Sequence, residues 1–364
     1  MKIKAAVVRE KSGPFLIEEV ELDEPREEEV VVRIAGSGIC HTDLVARDQY
    51  LPVPLPAVLG HEGSGVVEKV GSRVTKVKPG DHVTMSYLSC GRCPACAQGQ
   101  PSHCPSFFPT NFSGTRGDGS TTMKKDGQPI YGSFFNQSSF ASHVLANERN
   151  VVKVSPEVPL ELLGPLGCGV QAGAGGVMNT LRPEVGSSIA VFGAGSVGQS
   201  AILAAVAVGC TTIIAVDVKE ERLQAARAFG ATHLINSTTT DAVLEIRKIT
   251  GAGVAYSLEC TGLPPVFRMA VDVLMMGGVC GLIGVAPPGV EVNLEMKTIL
   301  DARTIKGIVM GDSNPDIFIP RLIELYKGGR FPFDKMITFY SLEEINQAAE
   351  DSEKGRVLKA VLRP

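Results

Sequence analysis

The chain has 364 residues, of which 44% are hydrophobic and 20% charged; 35 Lys and Arg stand against 39 Asp and Glu, a net charge of −4. That balance excludes nucleic-acid binding through bulk positive charge and gives no reason for a membrane partner. The chain is also too apolar and too nearly neutral to be disordered. At roughly 100–200 residues per domain, the length points to two domains. The start, MKIKAAVVREKSG, holds only AAVV between basic residues, where a signal-peptide core needs about 7–15 apolar residues. No run reaches the ~20 apolar residues of a membrane helix. The expectation is a cytoplasmic protein whose nine cysteines are reduced and serve as metal ligands or core.

In chain order, the first 165 residues read as β-rich. AAVV (5–8), EVVVRI (29–34), GVVEKV (65–70) and HVTM (82–85) are short β-branched runs bounded by turn residues. The acidic stretch from Glu18 to Glu29 reads as a solvated strand and turn. Residues 105–140, rich in Gly, Ser, Asn and Phe, read as one long loop. From about 170 strands and helices alternate: SIAVFG (188–193), a helix, TTIIAVD (211–217), a helix over 221–230, THLIN (232–236), a helix over 241–250, AYSLEC (255–260), a helix over 265–276, and VCGLIG (279–284). This rhythm means βαβ units around a buried parallel sheet. Two further helices near 315–328 and 341–352 precede a strand-like VLKAVLRP.

Gly193-Ala194-Gly195-Ser196-Val197-Gly198 is a GxGxxG between a strand and a helix, and Asp217 ends the next strand. The first two glycines let the backbone turn and approach a pyrophosphate, and the third lets helix and strand pack closely. The helix N-terminus supplies free N–H groups to the phosphates. Asp217 can accept hydrogen bonds from ribose hydroxyls and would repel a 2′-phosphate, so NAD is expected over NADP. Cys210, Cys260 and Cys280 read as buried and inert.

Cys90, Cys93, Cys96 and Cys104 form C-x2-C-x2-C-x7-C. Four thiolates so close can close a tetrahedral zinc site with no open position, which stabilises a lobe rather than catalyses. The rivals are free thiols and an iron–sulfur cluster; Pro105 follows Cys104 as in ferredoxins, but their last spacing is three residues. Cys40 in GICHTD, His61 in GHEG and Cys168 in GCG are dispersed. Spacing alone does not bring them together; if they met, two cysteines, a histidine and a water would form an open catalytic zinc site. The remaining histidines have no such context.

GHEGSGVVEKVG (60–71), the four-cysteine lobe, Gly-x-Cys-His-Thr-Asp and GxGxxG resemble the zinc-dependent medium-chain alcohol dehydrogenases over essentially the whole chain. VPLPAVLGHEGSGVV, PLGCG and FPFD resemble the bacterial aryl-alcohol (benzyl-alcohol) dehydrogenases within them. The resemblance implies a GroES-like catalytic domain (1–168 and 309–364, with a zinc lobe at about 88–106) and a Rossmann NAD-binding domain (169–308), with the active site between them. It implies two zinc ions: a catalytic one on Cys40, His61 and Cys168, with Glu62 behind it as an occasional ligand, and a structural one on the four-cysteine set. Asp43 would fix the His61 tautomer, and Thr42 would hydrogen-bond the substrate oxygen and start a proton relay. Arg222 would join Asp217 at the adenosine ribose; Val197 and Val285 would lie near the nicotinamide, and His41 and Lys359 at the pyrophosphate. Many relatives carry Arg where this chain has His41, and often a relay histidine where it has Val45; the proton would then leave through Thr42, the ribose hydroxyl and water, or through another base such as His41. The implied activity is reversible NAD-linked oxidation of primary alcohols, benzylic or allylic, to aldehydes by a homodimer or homotetramer. Glutathione-linked formaldehyde oxidation is the alternative, and a zinc-stabilised nucleotide-binding redox sensor without turnover the remote one.

Overall fold

Short strands rich in β-branched residues open the chain: β1 (Lys2–Val8) and β3 (Glu29–Gly38), buried on both faces over most of their length, and the more exposed β2 (Leu16–Leu22). After them come α1 (His41–Arg47), β4 (Ala57–Val58), β5 (Gly63–Val70), β6 (His82–Met85), α2 (Pro94–Ala97) and α3 (Phe107–Phe112). β7 (Met123–Lys125), β8 (Gln128–Ile130), β9 (His143–Asn147) and β10 (Val151–Lys153) follow. The computed structural model describes residues 1–364. By internal contacts the chain forms two units: Met1–Cys168 with Asn314–Glu324 and Asp334–Pro364, and Gly169–Ser313 with Leu325–Phe333.

Residues 105–140 are not one loop. α3 lies in them, and β7 and β8 form an antiparallel hairpin. Its two turn residues, Asp126 and Gly127, both have positive φ (51° and 76°), the Asp-Gly signature of a tight hairpin. Arg116, 8% exposed, ties this segment down: it donates to both Glu29 carboxylate oxygens (2.7 and 3.1 Å), to Asp23 (3.0 Å) and to the Thr121 carbonyl (2.9 Å). The acidic stretch is thus paired within its own chain, Glu18 with Arg9 and Lys125, Glu24 with Lys69 and Glu27 with Arg73.

The second unit begins with α4 (Gly169–Gly175) and continues β11 (Ser188–Phe192), α5 (Ser196–Val208), β12 (Thr212–Asp217), α6 (Glu220–Ala228), β13 (His233–Asn236), α7 (Ala242–Thr250), β14 (Val254–Glu259), α8 (Pro264–Asp272), β15 (Leu274–Leu282), α9 (Met296–Leu300) and β16 (Thr304–Gly307). All neighbours are parallel, in the order β13-β12-β11-β14-β15-β16. In order of appearance this is 3-2-1-4-5-6, the Rossmann order, whose chain reversal beside the first strand marks a nucleotide crevice. Ile189 to Phe192 are wholly buried, as strands covered on both faces must be. The helix expected to run to 276 ends at Asp272, and Leu274 already pairs with Val254. A register shift then throws Met275 and Met276 outward (38% and 73% exposed) before Val279 resumes pairing with Tyr256.

Residues 309–313 stay with this unit. The Gly311 backbone packs on α4 at Gln171, Ala172 and Gly175, and the Ser313 hydroxyl donates to Gln171 (2.8 Å). Beyond them come α10 (Pro315–Lys327), β17 (Ile337–Ser341), α11 (Ile345–Lys354) and β18 (Lys359–Arg363). The helix expected from 341 begins with a 3-10 turn, Leu342–Glu344, because Glu344 caps the Ser341 N–H and hydroxyl (2.8 and 2.9 Å).

In the first unit, β4-β1-β2-β7-β8 make one sheet. The other runs β10-β6-β5-β3-β18-β17, with β9 also paired to β3. The C-terminal strand β18 therefore lies antiparallel against the end of β3, with Leu362 opposite Ser37 and Val361 opposite Gly38. No helix of the protein is long and apolar enough to cross a membrane.

Candidate active site

Cys40 follows β3 and caps the N-terminus of α1. Three residues on, the fully buried Asp43 carboxylate folds back. Its Oδ2 accepts from the Cys40 backbone N–H (2.9 Å), and its Oδ1 from the Gly60 N–H (3.1 Å) and from His61 Nδ1 (2.8 Å). Gly60 turns the chain with φ +91°, and a Cβ there would strike Phe140, so only glycine delivers His61 in this pose. With Nδ1 donating, His61 presents Nε2 to the sulfurs, 3.2 Å from Cys168 Sγ. Cys168 arrives at the end of the 3-10 turn Gly164–Gly167. The ligand atoms of Cys40, His61, Glu62 and Cys168 all lie within 4.8 Å of one another, and the Thr42 hydroxyl is 3.8 Å from Cys40 Sγ.

This donor set fits zinc. Ligands about 2.3 Å from one tetrahedral centre are about 3.8 Å apart. The Cys40 thiol is held well below its ordinary value, first by the hydrogen bond from Cys168 and, against burial, by His61. Cys168 is pushed up in turn by Cys40 and burial. The two sulfurs thus share one proton, Cys168 donating to Cys40, and a bound metal dication would displace it.

The second set gathers around α2, whose N-cap is Cys93. Cys90, Cys93, Cys96 and Cys104 again lie within 4.8 Å, with Cys93 and Cys96 sulfurs 3.5 Å apart and the Cys90 N–H on Cys104 Sγ at 3.4 Å. Backbone N–H groups of Arg92 and Cys93 lower the Cys90 thiol to about 6. Four sulfurs fill a tetrahedron and leave no position for substrate.

In the second unit Gly193 has φ +88°, and a Cβ would press on Thr261. A Cβ on Gly198 would strike the Gly193 carbonyl, whereas one on Gly195 would meet nothing in the chain. The space Gly195 keeps clear is therefore left for something other than protein, at the N-terminus of the thirteen-residue α5. Asp217, 6% exposed, is fixed by the N–H groups of Ala194 (2.6 Å), Val218 (2.8 Å) and Lys219 (2.9 Å). A carboxylate has about four acceptor sites, so capacity remains for a ribose hydroxyl. Arg222 lies 3.8 Å from Asp217, and its Nε is buried without a partner. The residues fit a dinucleotide. Val197 is half-buried, Val285 is 72% exposed, and His41 is exposed at the start of α1.

Residues 26–156 match the model of the alcohol dehydrogenase GroES-like domain, and 196–327 that of the zinc-binding dehydrogenases. The chain is 45% identical to a geraniol dehydrogenase of Castellaniella defragrans over 362 residues, covering 99% of this chain and 97% of that one. Among solved structures it is similar to an alcohol dehydrogenase zinc-binding domain protein from Burkholderia ambifaria (52% identity, TM-score 0.98). It is also similar to benzyl alcohol dehydrogenase from Acinetobacter calcoaceticus (46%, 0.97); in both cases 100% of this chain and 99% of the other are covered. This chain belongs to the zinc-dependent medium-chain alcohol dehydrogenases. It is accordingly an NAD-linked zinc alcohol dehydrogenase with a GroES-like and a Rossmann domain.

Two features of this alcohol dehydrogenase go beyond its sequence motifs. The Phe135 ring stacks on His61 at 4.5 Å and Phe134 meets it edge-on at 5.5 Å; Phe112 packs against both phenylalanines (5.6 and 5.1 Å). Gln137, wholly buried, accepts from the Gly63 N–H (3.0 Å) and donates to the His61 and Ser86 carbonyls (2.9 and 3.1 Å). Nothing in the sequence around Gln137 marks it; only the fold brings it to His61. Lys359, expected at the pyrophosphate, pairs with Glu62. It is 2% exposed, and its ammonium meets Glu62 Oε1 (3.0 Å), Glu62 Oε2 (2.8 Å) and the Ile39 carbonyl (3.2 Å). Burial opposes its charge, but Glu62 more than offsets that and holds the lysine above its usual range. Cys210 and Cys280 are buried, and burial pushes their thiols to about 11 and 12; Cys260 is half-exposed as a residue, yet burial raises its thiol too.

Proposed function

We propose that the enzyme's preferred substrates are primary benzylic and allylic alcohols, oxidised to aldehydes. The observation that carries this reading is the aromatic wall at the His61 side of the metal-ligand cluster, made by Phe112, Phe134 and Phe135. Of these, Phe112 is half-buried and keeps ring surface for a flat π-system, a contact worth about 0.5–1.5 kcal/mol beyond area burial, while the buried Phe134 and Phe135 back it. The resemblance to benzyl alcohol and geraniol dehydrogenases supports it.

Zinc bound at the cluster would supply a Lewis acid for the alcohol oxygen, and NAD an acceptor for the hydride. The protein's part is to position. Asp43 fixes His61 as a donor at Nδ1, so that Nε2 is left to ligate. Thr42, its hydroxyl 3.8 Å from Cys40 Sγ, would take up the substrate's hydroxyl proton and pass it on. Val45 on the same helix cannot accept it, so a proton leaving Thr42 would need water, a cofactor hydroxyl or another base such as His41 at the start of α1. The buried Phe134 and Phe135 exclude water from the His61 face. In the second unit Asp217 opposes a 2′-phosphate by like charge.

We further read the enzyme as a cytoplasmic homodimer or homotetramer. Its nine cysteines are free, and thiolate sites need a reducing compartment. The edge strand β16 has a partner on one side only, and nearby Met276, Met296 and Leu300 are 73%, 90% and 83% exposed. An open edge beside exposed apolar side chains favours pairing with another copy.

Steady-state NADH formation with benzyl alcohol, geraniol, ethanol and S-hydroxymethylglutathione tests the substrate reading. The expected kcat/KM for the first two exceeds that for ethanol by roughly 100-fold or more, as several apolar contacts of 1–3 kcal/mol allow. Preference for the glutathione adduct would overturn the benzylic and allylic assignment. Absence of turnover with every alcohol would favour a nucleotide sensor.

A further inference from the structure

In the second unit the ends of α7 and α8 and the start of β16 enclose a cavity of about 400 Å³, the scale of a small-ligand pocket. It lies at the opposite end of the parallel sheet from the glycine motif. Gly193 follows the C-terminal end of β11, whereas the cavity is lined by Arg247 in the last turn of α7, Asp272 at the end of α8, and Arg303, the residue before β16. The cavity is therefore not part of the dinucleotide crevice.

Its cations exceed the carboxylates that hold them. Arg268 donates to Asp272 (2.7 Å) and to the Asn293 carbonyl (3.0 Å), and Lys297 donates to Asp301 (2.6 and 2.8 Å). Arg247 and Arg303 pair with no carboxylate. The exposed Arg247 gives one N–H to the Asp272 carbonyl (3.3 Å), out of the five a guanidinium has. Arg303 is half-buried, and its Nε is shielded from solvent with no partner. The other lining carboxylate, Glu295, is exposed. Buried donors in native proteins are matched almost without exception, and one on a charged group is costly to leave unmatched. The missing partner of Arg303 is an acceptor from outside this chain, and two unpaired guanidinium forks around one cavity match the oxygens and the charge of a dianion.

We propose that this cavity is an oxyanion site, which takes a phosphate group, free or as a monoester, between Arg247 and Arg303. Such a group carries about two negative charges on three acceptor oxygens. Bound there, it ties α7 to the chain entering the edge strand β16, which is paired on one side only.

The test uses full-length, zinc-loaded protein saturated with NADH, so that phosphate finds the nucleotide crevice already filled. The thermal midpoint is followed against inorganic phosphate, with sodium chloride at matched ionic strength as the reference. In the parent the midpoint should rise and approach saturation, as binding to the folded state requires. Arg303→Gln should keep the parent's midpoint in chloride and should need at least about tenfold more phosphate for the same rise, the scale of a lost charge-assisted hydrogen bond. Arg247→Gln should weaken phosphate likewise, and it decides alone if Arg303→Gln does not fold. A rise that is linear in phosphate and equal in parent and variants is the general effect of an excluded salt; it would show an adventitious ion only and overturn the proposal. A parent indifferent to phosphate would overturn it too. So would an Arg303→Gln protein whose mass in solution falls while its response to phosphate stays as in the parent, since Arg303 would then belong to a carboxylate of a second copy. Glycerol 3-phosphate separates the two sources. Tighter binding than inorganic phosphate, lost in the same variants, assigns the site to a phosphate ester; equal or weaker binding assigns it to free phosphate.

Discussion

Asp43→Asn keeps the shape of the side chain on which the catalytic cluster hangs and removes only its charge. In the parent, three donors converge on the carboxylate: Cys40 N–H, Gly60 N–H and His61 Nδ1. An amide oxygen in the place of Oδ1 keeps the last two, but the amide nitrogen then faces the Cys40 N–H. One buried donor left unmatched costs about 1–3 kcal/mol, and two charge-assisted bonds reduced to neutral ones cost about 1 kcal/mol each. The total is about 3–5 kcal/mol, divided between the fold and the metal. Loss of an outer partner weakens metal binding about 10–100-fold, or 1.4–2.7 kcal/mol. Roughly 2 kcal/mol then remains to lower stability. Zinc release to a chromogenic chelator should show two phases. Only the phase missing from a Cys40→Ser variant should accelerate, by about 10–100-fold, while release from the four-cysteine lobe keeps its rate. If both phases and the thermal midpoint match the parent's, Asp43 does not orient His61 and the geometric reasoning fails.

Cys93→Ser should leave one zinc per chain and lower the thermal midpoint, while kcat of the protein that remains folded changes little. A large fall in kcat with full zinc content would contradict the closed-site reading. Asp217→Gly should weaken NAD use and relieve the exclusion of NADP, shifting the ratio of kcat/KM values by about tenfold or more, since like-charge juxtaposition costs several kcal/mol. A parent that already prefers NADP would refute it. The Glu18 carboxyl is held at about 2, first by its hydrogen bond from Arg9, against burial, and then by Lys125. Its folded value lies below the ordinary 4.5, so its stabilisation is complete above about pH 4.5 and is lost as pH falls toward 2. Glu18→Gln should cost about 1 kcal/mol at neutral pH, given the partly exposed Arg9 and Lys125, and nothing near pH 2; urea midpoints at both pH values measure this.

The parallel sheet was legible because its strands are continuous apolar runs separated by helices of ordinary length. Gly193, Gly195 and Gly198 were legible because phosphate binding by a strand-turn-helix demands glycine in a fixed pattern. The four-cysteine lobe was legible because its ligands are local in sequence. The meeting of Cys40, His61 and Cys168 was not legible from spacing, since pairing of β3 with β5 joins the first two and a 3-10 turn about a hundred residues on delivers the third; only the family likeness anticipated it. The Asp126-Gly127 hairpin carried a signal that the surrounding Gly, Ser and Asn obscured. The helix expected through Met276 misled because its apolar period continues past Asp272, where pairing of Leu274 with Val254 outweighs helix propensity. Lys359 was unreadable for another reason. The family likeness set it at the pyrophosphate, and only the register of β18 on β3 shows that it is buried with Glu62.

The strain next to His61 shows what the fold holds most firmly. Phe135, Asn136 and Ser138 all have left-handed φ values, 49°, 55° and 48°. A bulky residue there is disfavoured by roughly 1–2 kcal/mol, and such strain persists only where the surroundings over-determine it. Here they do. Gln137 spans the Gly63 N–H and the carbonyls of His61 and Ser86. Ser138 donates to the Val58 carbonyl (2.6 Å) and accepts from the Phe134 N–H (2.9 Å), and Asn150 donates to the carbonyls of Phe135 and Asn136 (3.2 Å each). Hydrogen bonds from buried side chains therefore fasten the strained turn to the segment that carries His61, from both sides of the histidine. A relaxed turn would free the backbone but would also swing the Phe135 ring off the imidazole. With Asp43 fixing one ring nitrogen and Phe135 covering one ring face, His61 has a single orientation left, with Nε2 on the sulfurs. The local strain thus goes with a histidine held in the one pose that suits the metal its donor set fits.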